Sequence, residues 1–347
     1  MQRSVAEWLA RCGCAGDVTA IATLAAYDQP HPVRVLRLTT TQGCFVAKML
    51  AEAAVSREEE EQQAAFSEFL RAQGLPVPQK FRCDGYFVSL IDVGGARYLA
   101  TLEEDFGADL CRPTVETAYA LGRFLGRMHR CSLASGFQLP AGHTWRALLE
   151  GRTNACDIWQ GKPSDHPTIR ALCCRHDAVS AALRRLWPQL PRAAVHGDLS
   201  LTSNLVQRGR TLCTPFEGNG IGVIDFNLAG EEVLVGDFLI TWYSARWQPD
   251  LCARVAPRQW AAMAQAYRTG YQRERCFTVQ EKRVLPQLAR SMNGTYCHRL
   301  LATLWQTGRH AAAQTLLSHA LHAYELFAPN VDLAEVLHHG SITSTDA

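Results

Sequence analysis

The chain has 347 residues, of which 47% are hydrophobic and 20% are charged, and its formal net charge is +2. This composition is typical of a globular protein with a large core and excludes a disordered or fibrous chain. The small net charge gives no reason to expect nucleic acid or an anionic membrane as a partner, and no apolar run approaches the ~20 residues that span a bilayer. The length exceeds one average domain and predicts two lobes that share a cleft.

The N-terminal segment does not have the pattern of a signal peptide, because Glu7, Arg11 and Asp17 interrupt its apolar stretch. The chain contains 13 cysteines, but no two of them form a C-x-x-C pair of the metal-binding type. We therefore predict free thiols in a reducing compartment, and hence a cytoplasmic protein.

A β-hairpin is predicted near the N-terminus. Residues 33–40 alternate apolar and polar side chains, a Gln-Gly turn follows, and residues 44–50 form a second run of strand type. Lys48 lies near the end of the second predicted strand. The segment before the hairpin, residues 28–32, contains no glycine.

The next predicted elements are a helix, a strand and a second helix. Apolar residues at helical spacing predict the first helix at residues 57–72, and its first turns contain four glutamates, residues 58–61, which favour the positive end of the helix dipole. Residues 97–107 predict a strand that runs into a loop, and residues 114–130 predict a long helix. His129 of this second helix is predicted to have a structural role.

Two short motifs carry the chemistry. Residues 195–206 read Val-His-Gly-Asp-Leu-Ser-Leu-Thr-Ser-Asn-Leu-Val, and residues 222–227 read Gly-Val-Ile-Asp-Phe-Asn. Phosphoryl transfer from ATP needs a carboxylate that orients or deprotonates the attacking hydroxyl, and an amide oxygen and a second carboxylate that hold Mg²⁺ on the phosphates. Mg²⁺ prefers oxygen ligands, so Asp198, Asn204 and Asp225 fit these roles. The apolar pairs beside Asn204 and Asp225 predict two short buried strands.

These motifs resemble those of the aminoglycoside phosphotransferase and choline kinase superfamily, the small-molecule relatives of protein kinases. Residues 270–286 are similar to the C-lobe of type II homoserine kinases. The resemblance implies an α+β, two-lobed protein-kinase-like fold. It places a nucleotide-binding N-lobe, a small antiparallel sheet with one helix, at residues 1–103, and a mostly helical C-lobe at residues 104–335. Residues 336–347 are expected to form a disordered tail.

The same resemblance implies roles for individual residues. It makes Asp198 the catalytic base and makes Asn204 and Asp225 the Mg²⁺ ligands. It gives His196 the role of a scaffold for the catalytic loop. It also makes Lys48 the residue that binds the phosphates of ATP.

In the kinase fold a glutamate of the first helix pairs with the strand lysine. Residues 58–61 contain that glutamate, and Glu61 is our choice because it lies one helical turn before the buried stripe. The adenine-binding hinge is expected at four consecutive residues, Leu102, Glu103, Glu104 and Asp105. Asp237 is expected to hold the catalytic loop in place.

The sequence departs from the superfamily pattern at two places. Asn204 lies six residues after Asp198, whereas most of the superfamily has a spacing of five, at which Ser203 stands here. We prefer Asn204 because the apolar run follows it directly, and Ser203 is the alternative. The loop that covers the phosphates normally contains glycines. Here either His31 or Gln29 supplies the donors instead, or nucleotide binding is weak.

We predict an ATP- and Mg²⁺-dependent phosphotransferase that acts on a hydroxyl of a small polar metabolite, with a homoserine-like amino alcohol as the leading substrate. The alternatives are an aminoglycoside-type antibiotic phosphotransferase, a protein Ser/Thr kinase of the same fold, and a degenerate nucleotide-binding module. Many arginines and histidines at residues 140–180 and 230–275 favour a substrate with a carboxylate over an aminoglycoside. No A-P-E motif follows Asp225, which disfavours a protein kinase. The joint presence of Lys48, Asp198 and Asp225 disfavours a degenerate module.

Overall fold

The computed structural model describes residues 2–14, 16–27, 32–109, 113–142, 166–201, 205–208, 220–246, 255–311, 313–314 and 317. The chain divides into two compact units. The sheet unit consists of Met1–Cys111 and Asn204–Ala229, and the helical unit consists of Arg112–Ser203 and Gly230–Ala347. The fold is α+β, with a sheet-rich N-terminal region and a helical C-terminal region, as the sequence predicts.

The sheet unit contains two antiparallel sheets and two α-helices among its described residues. The strands of the larger sheet are β1 (Val18–Tyr27), β2 (Val33–Thr40), β3 (Gly43–Ala51), β4 (Lys80–Phe81), β5 (Val88–Val93) and β6 (Ala96–Glu104). They follow the order β1-β2-β3-β6-β4, with β5 also paired to β6. The strands of the smaller sheet are β7 (Gly107–Asp109), β9 (Leu205–Arg208) and β10 (Ile221–Val223), in the order β10-β9-β7. The helices are α1 (Gln2–Arg11) and α2 (Arg57–Ala72).

The predicted hairpin is confirmed as β2 and β3. Ala47 and Met49 are buried in the same core as Leu36 and Leu38. Because side chains alternate between the two faces of a strand, Lys48 points to the opposite face of the sheet. The hairpin therefore presents its lysine away from this core.

Helix α2 has the predicted bounds, and Ser56 caps it by accepting a hydrogen bond from the Glu59 N–H. The two predicted short strands are confirmed as β9 and β10, which pair Val206 with Gly222. Because β7 pairs with β9, the sheet unit extends beyond residue 103 and includes the segment 204–229. The two lobes were instead predicted to meet at residue 103.

The helical unit contains one short antiparallel pair of strands and five α-helices among its described residues. The strands are β8 (Arg192–Val195) and β11 (Gly230–Val233). The helices are α3 (Val115–Ser135), α4 (Pro167–Leu186), α5 (Leu234–Arg246), α6 (Pro257–Glu274) and α7 (Val279–Gln306). Capping boxes at Thr114 and Thr278 begin α3 and α7.

Helices α3 and α6 pack with their backbones in close approach, which requires glycine on both helices. A Cβ atom on Gly122 of α3 would lie 2.0 Å from the Tyr267 carbonyl oxygen, and one on Gly270 of α6 would lie 2.2 Å from the Tyr119 carbonyl oxygen. No larger residue fits at such distances without separating the helices. This contact places the aromatic side chains of α6 next to α3 and α5.

Within the described ranges, no helix is both long and apolar enough to cross a membrane. Seven of the described cysteines are free thiols. Cys44 is disulfide-bonded, so the prediction of free thiols is wrong at that position. The predicted tail at residues 336–347 lies outside the described residues, and the cytoplasmic location stays a prediction.

Candidate active site

Lys48 and Asp225 form an ion pair in the sheet unit. The Lys48 Nζ lies 2.6 Å from the Asp225 Oδ1, and the two side chains are 21% and 42% exposed. Strand β3 positions the lysine, and β10 ends two residues before the aspartate. The fold thus brings together two predicted site residues that are 177 positions apart in the chain.

The backbone at Asp225 is in the left-handed region, with φ of 69°. This conformation is uncommon for a residue other than glycine and is concentrated at functional sites. The residues on either side are anchored. The Val223 N–H donates to the Pro76 carbonyl oxygen at 2.9 Å, and the Phe226 ring packs edge-to-face on Phe66 of α2 at a centroid distance of 6.1 Å. These contacts hold the aspartate in a conformation that the isolated chain would seldom adopt.

Asn227 lies beside the ion pair and was missed by the sequence analysis. In the amide orientation that satisfies both atoms, its nitrogen donates to Asp225 Oδ1 at 2.7 Å and its oxygen accepts from Lys48 Nζ at 3.2 Å. The only available signal was its place two residues after Asp225, where a polar side chain is equally compatible with a surface turn.

The structure contradicts the prediction that Glu61 pairs with Lys48. The two carboxylate oxygens of Glu61 accept hydrogen bonds from the backbone N–H groups of Phe87 and Val88 at 2.9 and 2.8 Å, which ties α2 to β5. The neighbouring Glu60 is buried. Burial raises the pKa of Glu60, and attraction to Lys48 opposes that rise. The electrostatic attraction between Glu60 and Lys48 makes Glu60 our candidate for the glutamate of α2 that acts on the lysine.

The predicted hinge, Leu102 to Asp105, lies at the end of β6 and just beyond it. The N–H of Glu104 donates to the Gln79 carbonyl oxygen at 2.9 Å, and the N–H of Asp105 donates to the Cys44 carbonyl oxygen at 3.1 Å. The carboxylates at positions 103 and 105 form ion pairs with a lysine and an arginine of the same unit. These contacts already engage two backbone donors of the segment, and its role in binding adenine stays a prediction.

Asp198 lies in the helical unit, in the loop that follows β8. It is exposed, whereas His196, Gly197 and Leu199 around it are buried. Gly197 has a φ of 82°, which favours glycine. The loop thus presents one carboxylate to solvent from an otherwise buried turn.

Two contacts fix this loop. The Gly197 N–H donates to Asp237 Oδ1 at 3.2 Å, in agreement with the predicted role of Asp237. The Nδ1 atom of the buried His196 accepts from the Asp198 N–H at 3.4 Å, in agreement with its predicted scaffold role. His129 is fully buried and contacts Asp237, so its predicted structural role is confirmed.

Several predicted positions lie outside the described residues. They include both candidates for the second metal ligand, Asn204 and Ser203, and the segment 28–31 with Gln29 and His31. The choice between the two ligands and the identity of the donors to the phosphates therefore stay predictions.

The groups around Asp225 suit a hard divalent cation. Its carboxylate binds the ammonium group of Lys48, and Asn227 places a neutral amide oxygen beside the same ammonium group. Among the described residues, no group of three or more His, Cys, Asp or Glu side chains could hold a metal ion. Mg²⁺ at phosphoryl-transfer sites needs only one or two protein carboxylates, because substrate phosphates and water complete its coordination. The residues present therefore fit Mg²⁺ bound together with a nucleotide.

Residues 31–277 match the family described as the phosphotransferase enzyme family. A homoserine kinase from Rhodopseudomonas palustris (strain BisB18) is 30% identical to this chain over 260 residues, which cover 73% of this chain and 71% of that protein. The protein is therefore a kinase, as the sequence predicts. It belongs to the phosphotransferase enzyme family, which confirms the superfamily that the two motifs indicated.

Solved structures of the same fold confirm the architecture. An amicoumacin kinase, solved in complex with AMP-PNP and Ca²⁺, superimposes with a TM-score of 0.63, is 15% identical and covers 91% of each chain. A microcompartment-associated aminopropanol kinase superimposes with a TM-score of 0.59, is 17% identical and covers 96% of this chain and 98% of the other. The predicted protein-kinase-like fold is thus confirmed.

Proposed function

We propose that this enzyme is an ATP- and Mg²⁺-dependent kinase that phosphorylates the hydroxyl group of a small amino alcohol, with homoserine as the leading substrate. The observation that carries the proposal is the 30% identity to a homoserine kinase over 73% of the chain. The fold by itself does not select a substrate, because one fold serves many acceptors.

In this proposal Asp198 receives the proton of the attacking hydroxyl group. Its carboxylate is exposed, while the backbone beside it is fixed by the hydrogen bond between Gly197 and Asp237. A carboxylate held in this way orients the acceptor oxygen and accepts its proton as the bond to phosphorus forms. The chemistry therefore needs no covalent intermediate on the enzyme.

Lys48 and Asp225 bind the phosphate end of the nucleotide. The two side chains bind each other in the structure, and each would exchange this partner for the nucleotide or its metal. Lys48 would hold phosphate oxygens, and Asp225 would hold the metal together with Asn204 or Ser203. Bound Mg²⁺ neutralises the charge that accumulates on the phosphates during transfer.

An ADP-release assay with four acceptors tests the proposal. The acceptors are homoserine, 1-amino-2-propanol, an aminoglycoside and a serine-containing peptide. We expect the highest kcat/KM with homoserine, and ³¹P NMR should show a phosphomonoester on its hydroxyl group. The Asp198→Asn variant, purified in parallel, reports any contaminating kinase.

The outcomes separate the two parts of the proposal. Faster turnover of the aminoglycoside would refute the amino alcohol as substrate while leaving the phosphotransfer chemistry intact. Phosphorylation of the peptide alone would refute the small-molecule class. ADP release that no acceptor stimulates would refute the transfer reaction itself.

The second metal ligand has its own test. Strand β9 begins at Leu205, so Asn204 directly precedes it in the chain, and an amide oxygen is a better neutral Mg²⁺ ligand than a hydroxyl. We expect Asn204→Ala to raise the Mg²⁺ concentration for half-maximal rate more than Ser203→Ala does. A larger shift with the serine variant would transfer the ligand role to Ser203.

A further inference from the structure

A buried chain of hydrogen bonds in the helical unit leads from the end of α6 to the catalytic loop. It connects five residues, Arg275, Tyr271, His129, Asp237 and Gly197. The last of these is the residue directly before Asp198. The transfer chemistry assigns no task to the first three.

The first three hydrogen bonds are donated in one direction, from Arg275 towards Asp237, and the fourth is donated to Asp237 from the other side. Arginine carries only donors, so Arg275 Nη1 donates to the Tyr271 hydroxyl oxygen at 2.8 Å. The Tyr271 hydroxyl group then donates a hydrogen bond to His129 Nδ1, which lies 2.9 Å away. Because Nδ1 accepts, the ring proton is on Nε2 and is donated to Asp237 Oδ2 at 3.0 Å. The other oxygen of Asp237 accepts from the Gly197 N–H at 3.2 Å.

Burial and charge support this orientation. His129, Tyr271 and Asp237 are each at most 1% exposed. Burial lowers the pKa of His129, although Asp237 opposes the change, so the ring is neutral at physiological pH. The charged groups that face the ring are Asp237 on α5, Arg275 just after α6 and Glu281 on α7. Glu281 lies 2.9 Å from Arg275, which leaves Asp237 as the charge next to the ring.

We propose that Tyr271 is a positioning residue for phosphoryl transfer. Its hydroxyl group donates to His129 Nδ1 and so keeps the ring oriented with its proton on Nε2. The ring in turn holds Asp237 where its carboxylate accepts from the Gly197 N–H. Asp237 accepts at both of its carboxylate oxygens, so a His129 ring that is free to rotate lets the carboxylate shift and moves Oδ1 away from the Gly197 N–H. The role in catalysis rests on the proposed function of Asp198, whereas the hydrogen-bond chain itself does not.

The competing explanation is that Tyr271 only fills space. Its ring stacks on Phe277 at a centroid distance of 4.9 Å and packs on Phe238 at 4.7 Å. Tyr271→Phe retains the ring that makes these contacts and removes only the hydroxyl group. The substitution therefore separates the hydrogen bond from the packing.

Tyr267 offers a matched control. It lies one turn earlier on the same helix, is fully buried, and stacks on Phe238 at a centroid distance of 4.7 Å. Its hydroxyl group donates to the Phe238 carbonyl oxygen at 2.8 Å and is not part of the chain. Tyr267→Phe thus removes an equally buried hydroxyl group from the same aromatic cluster.

The kinetic test compares the two variants with the parent enzyme. We expect Tyr271→Phe to lower kcat about tenfold, the size of one lost hydrogen bond, with the KM for ATP unchanged. We expect Tyr267→Phe to keep kcat within about twofold of the parent. Equal kcat in the two variants would refute the positioning role.

Two measurements test the chain without any substrate. In the unaltered protein, ¹⁵N NMR should show His129 protonated on Nε2 only, and a ring protonated on Nδ1 would overturn the inference. Exchange of the Gly197 amide hydrogen should be about tenfold faster in Tyr271→Phe than in Tyr267→Phe, and equal exchange rates would also overturn it. Absence of phosphotransfer in the parent enzyme would refute the proposed function instead, because these two results do not depend on the acceptor.

Discussion

The acidic residues of the two units differ in how far water reaches them. In the sheet unit, Asp225 is half-exposed and binds Lys48. In the helical unit, Asp237 is buried and binds His129 and Gly197. An accessible ion pair contributes little to stability, because water competes for both partners, whereas a buried aspartate cannot be left without its partners. The first arrangement allows an exchange of partners and the second keeps a loop fixed.

This contrast predicts that substitutions at accessible carboxylates change catalysis with little effect on stability. Substitutions in the buried network should change both. The predictions below test that distinction on single residues, beginning with the largest effect on turnover.

Asp198→Asn should lower kcat by roughly 10²–10⁴-fold, the usual size of a general-base contribution. Its side chain is exposed, so the affinity for ATP and the melting temperature should stay close to those of the parent. Steady-state kinetics, calorimetry with a non-hydrolysable ATP analogue and thermal denaturation measure the three quantities. Near-parental turnover would show that another group accepts the proton.

Asp225→Asn should lower kcat by about 10²–10³-fold and raise the Mg²⁺ concentration needed for half-maximal rate, because the variant loses the charge that we propose binds the metal. Asparagine tolerates the left-handed backbone of this position, so the effect reports charge and not backbone strain.

Asp84→Asn is the control for the metal prediction. Asp84 is also an aspartate of the sheet unit at positive φ, 52°, and it also pairs with a basic side chain, Arg11, at 2.5 Å. In Asp84→Asn, kcat and the Mg²⁺ concentration for half-maximal rate should stay within about twofold of the parent values. Similar losses in both variants would mean that the activity responds to any lost ion pair in this unit.

Glu60→Gln should raise the KM for ATP about five- to tenfold, because a neutral side chain no longer attracts Lys48 in a partly buried setting. Glu61→Gln is its control one position along α2. It should leave that KM unchanged and lower the free energy of unfolding by about 1 kcal/mol, since an amide accepts less strongly from the Phe87 and Val88 N–H groups. The reverse pattern would restore Glu61 as the partner of Lys48.

Features encoded within a few residues were predictable from the sequence. The hairpin of β2 and β3, the bounds of α2 and the pairing of β9 with β10 follow from alternation, capping and apolar runs. The loop position of Asp198 directly after His-Gly was predictable in the same way, and its role as the base stays a prediction. Each of these signals lies inside a short window of sequence.

Features that depend on the rotation of an element or on distant pairing were not predictable. Glu60 and Glu61 differ by about 100° around the helix axis, and only the packing of α2 decides which one faces Lys48. Asn227 acquires a role because the fold brings it to Lys48. The bond between His129 and Tyr271 joins residues 142 positions apart, and no local pattern marks it.

Substitution of His176, a buried residue of α4, should have the smallest effect on catalysis at neutral pH. It should instead change the free energy of unfolding in acid. Burial lowers the pKa of His176 from 6.5 to about 4. Below pH 6.5 the unfolded chain therefore binds a proton that the folded protein does not bind until about pH 4. The free energy of unfolding falls as the pH falls through this window.

At pH 5 the contribution of His176 amounts to a loss of roughly 2 kcal/mol, from about 1.4 kcal/mol per pH unit. His176→Leu has no group to titrate, so its urea midpoint should fall less between pH 7 and pH 5 than that of the parent. Burial also lowers the pKa of His129, and both histidines belong to the helical unit. The acid sensitivity should therefore appear in probes of that unit, such as Trp242 fluorescence. If the urea midpoint changes equally with pH in the variant and the parent, His176 is already protonated in the folded protein. Acid would then not separate the buried network from the accessible ion pair.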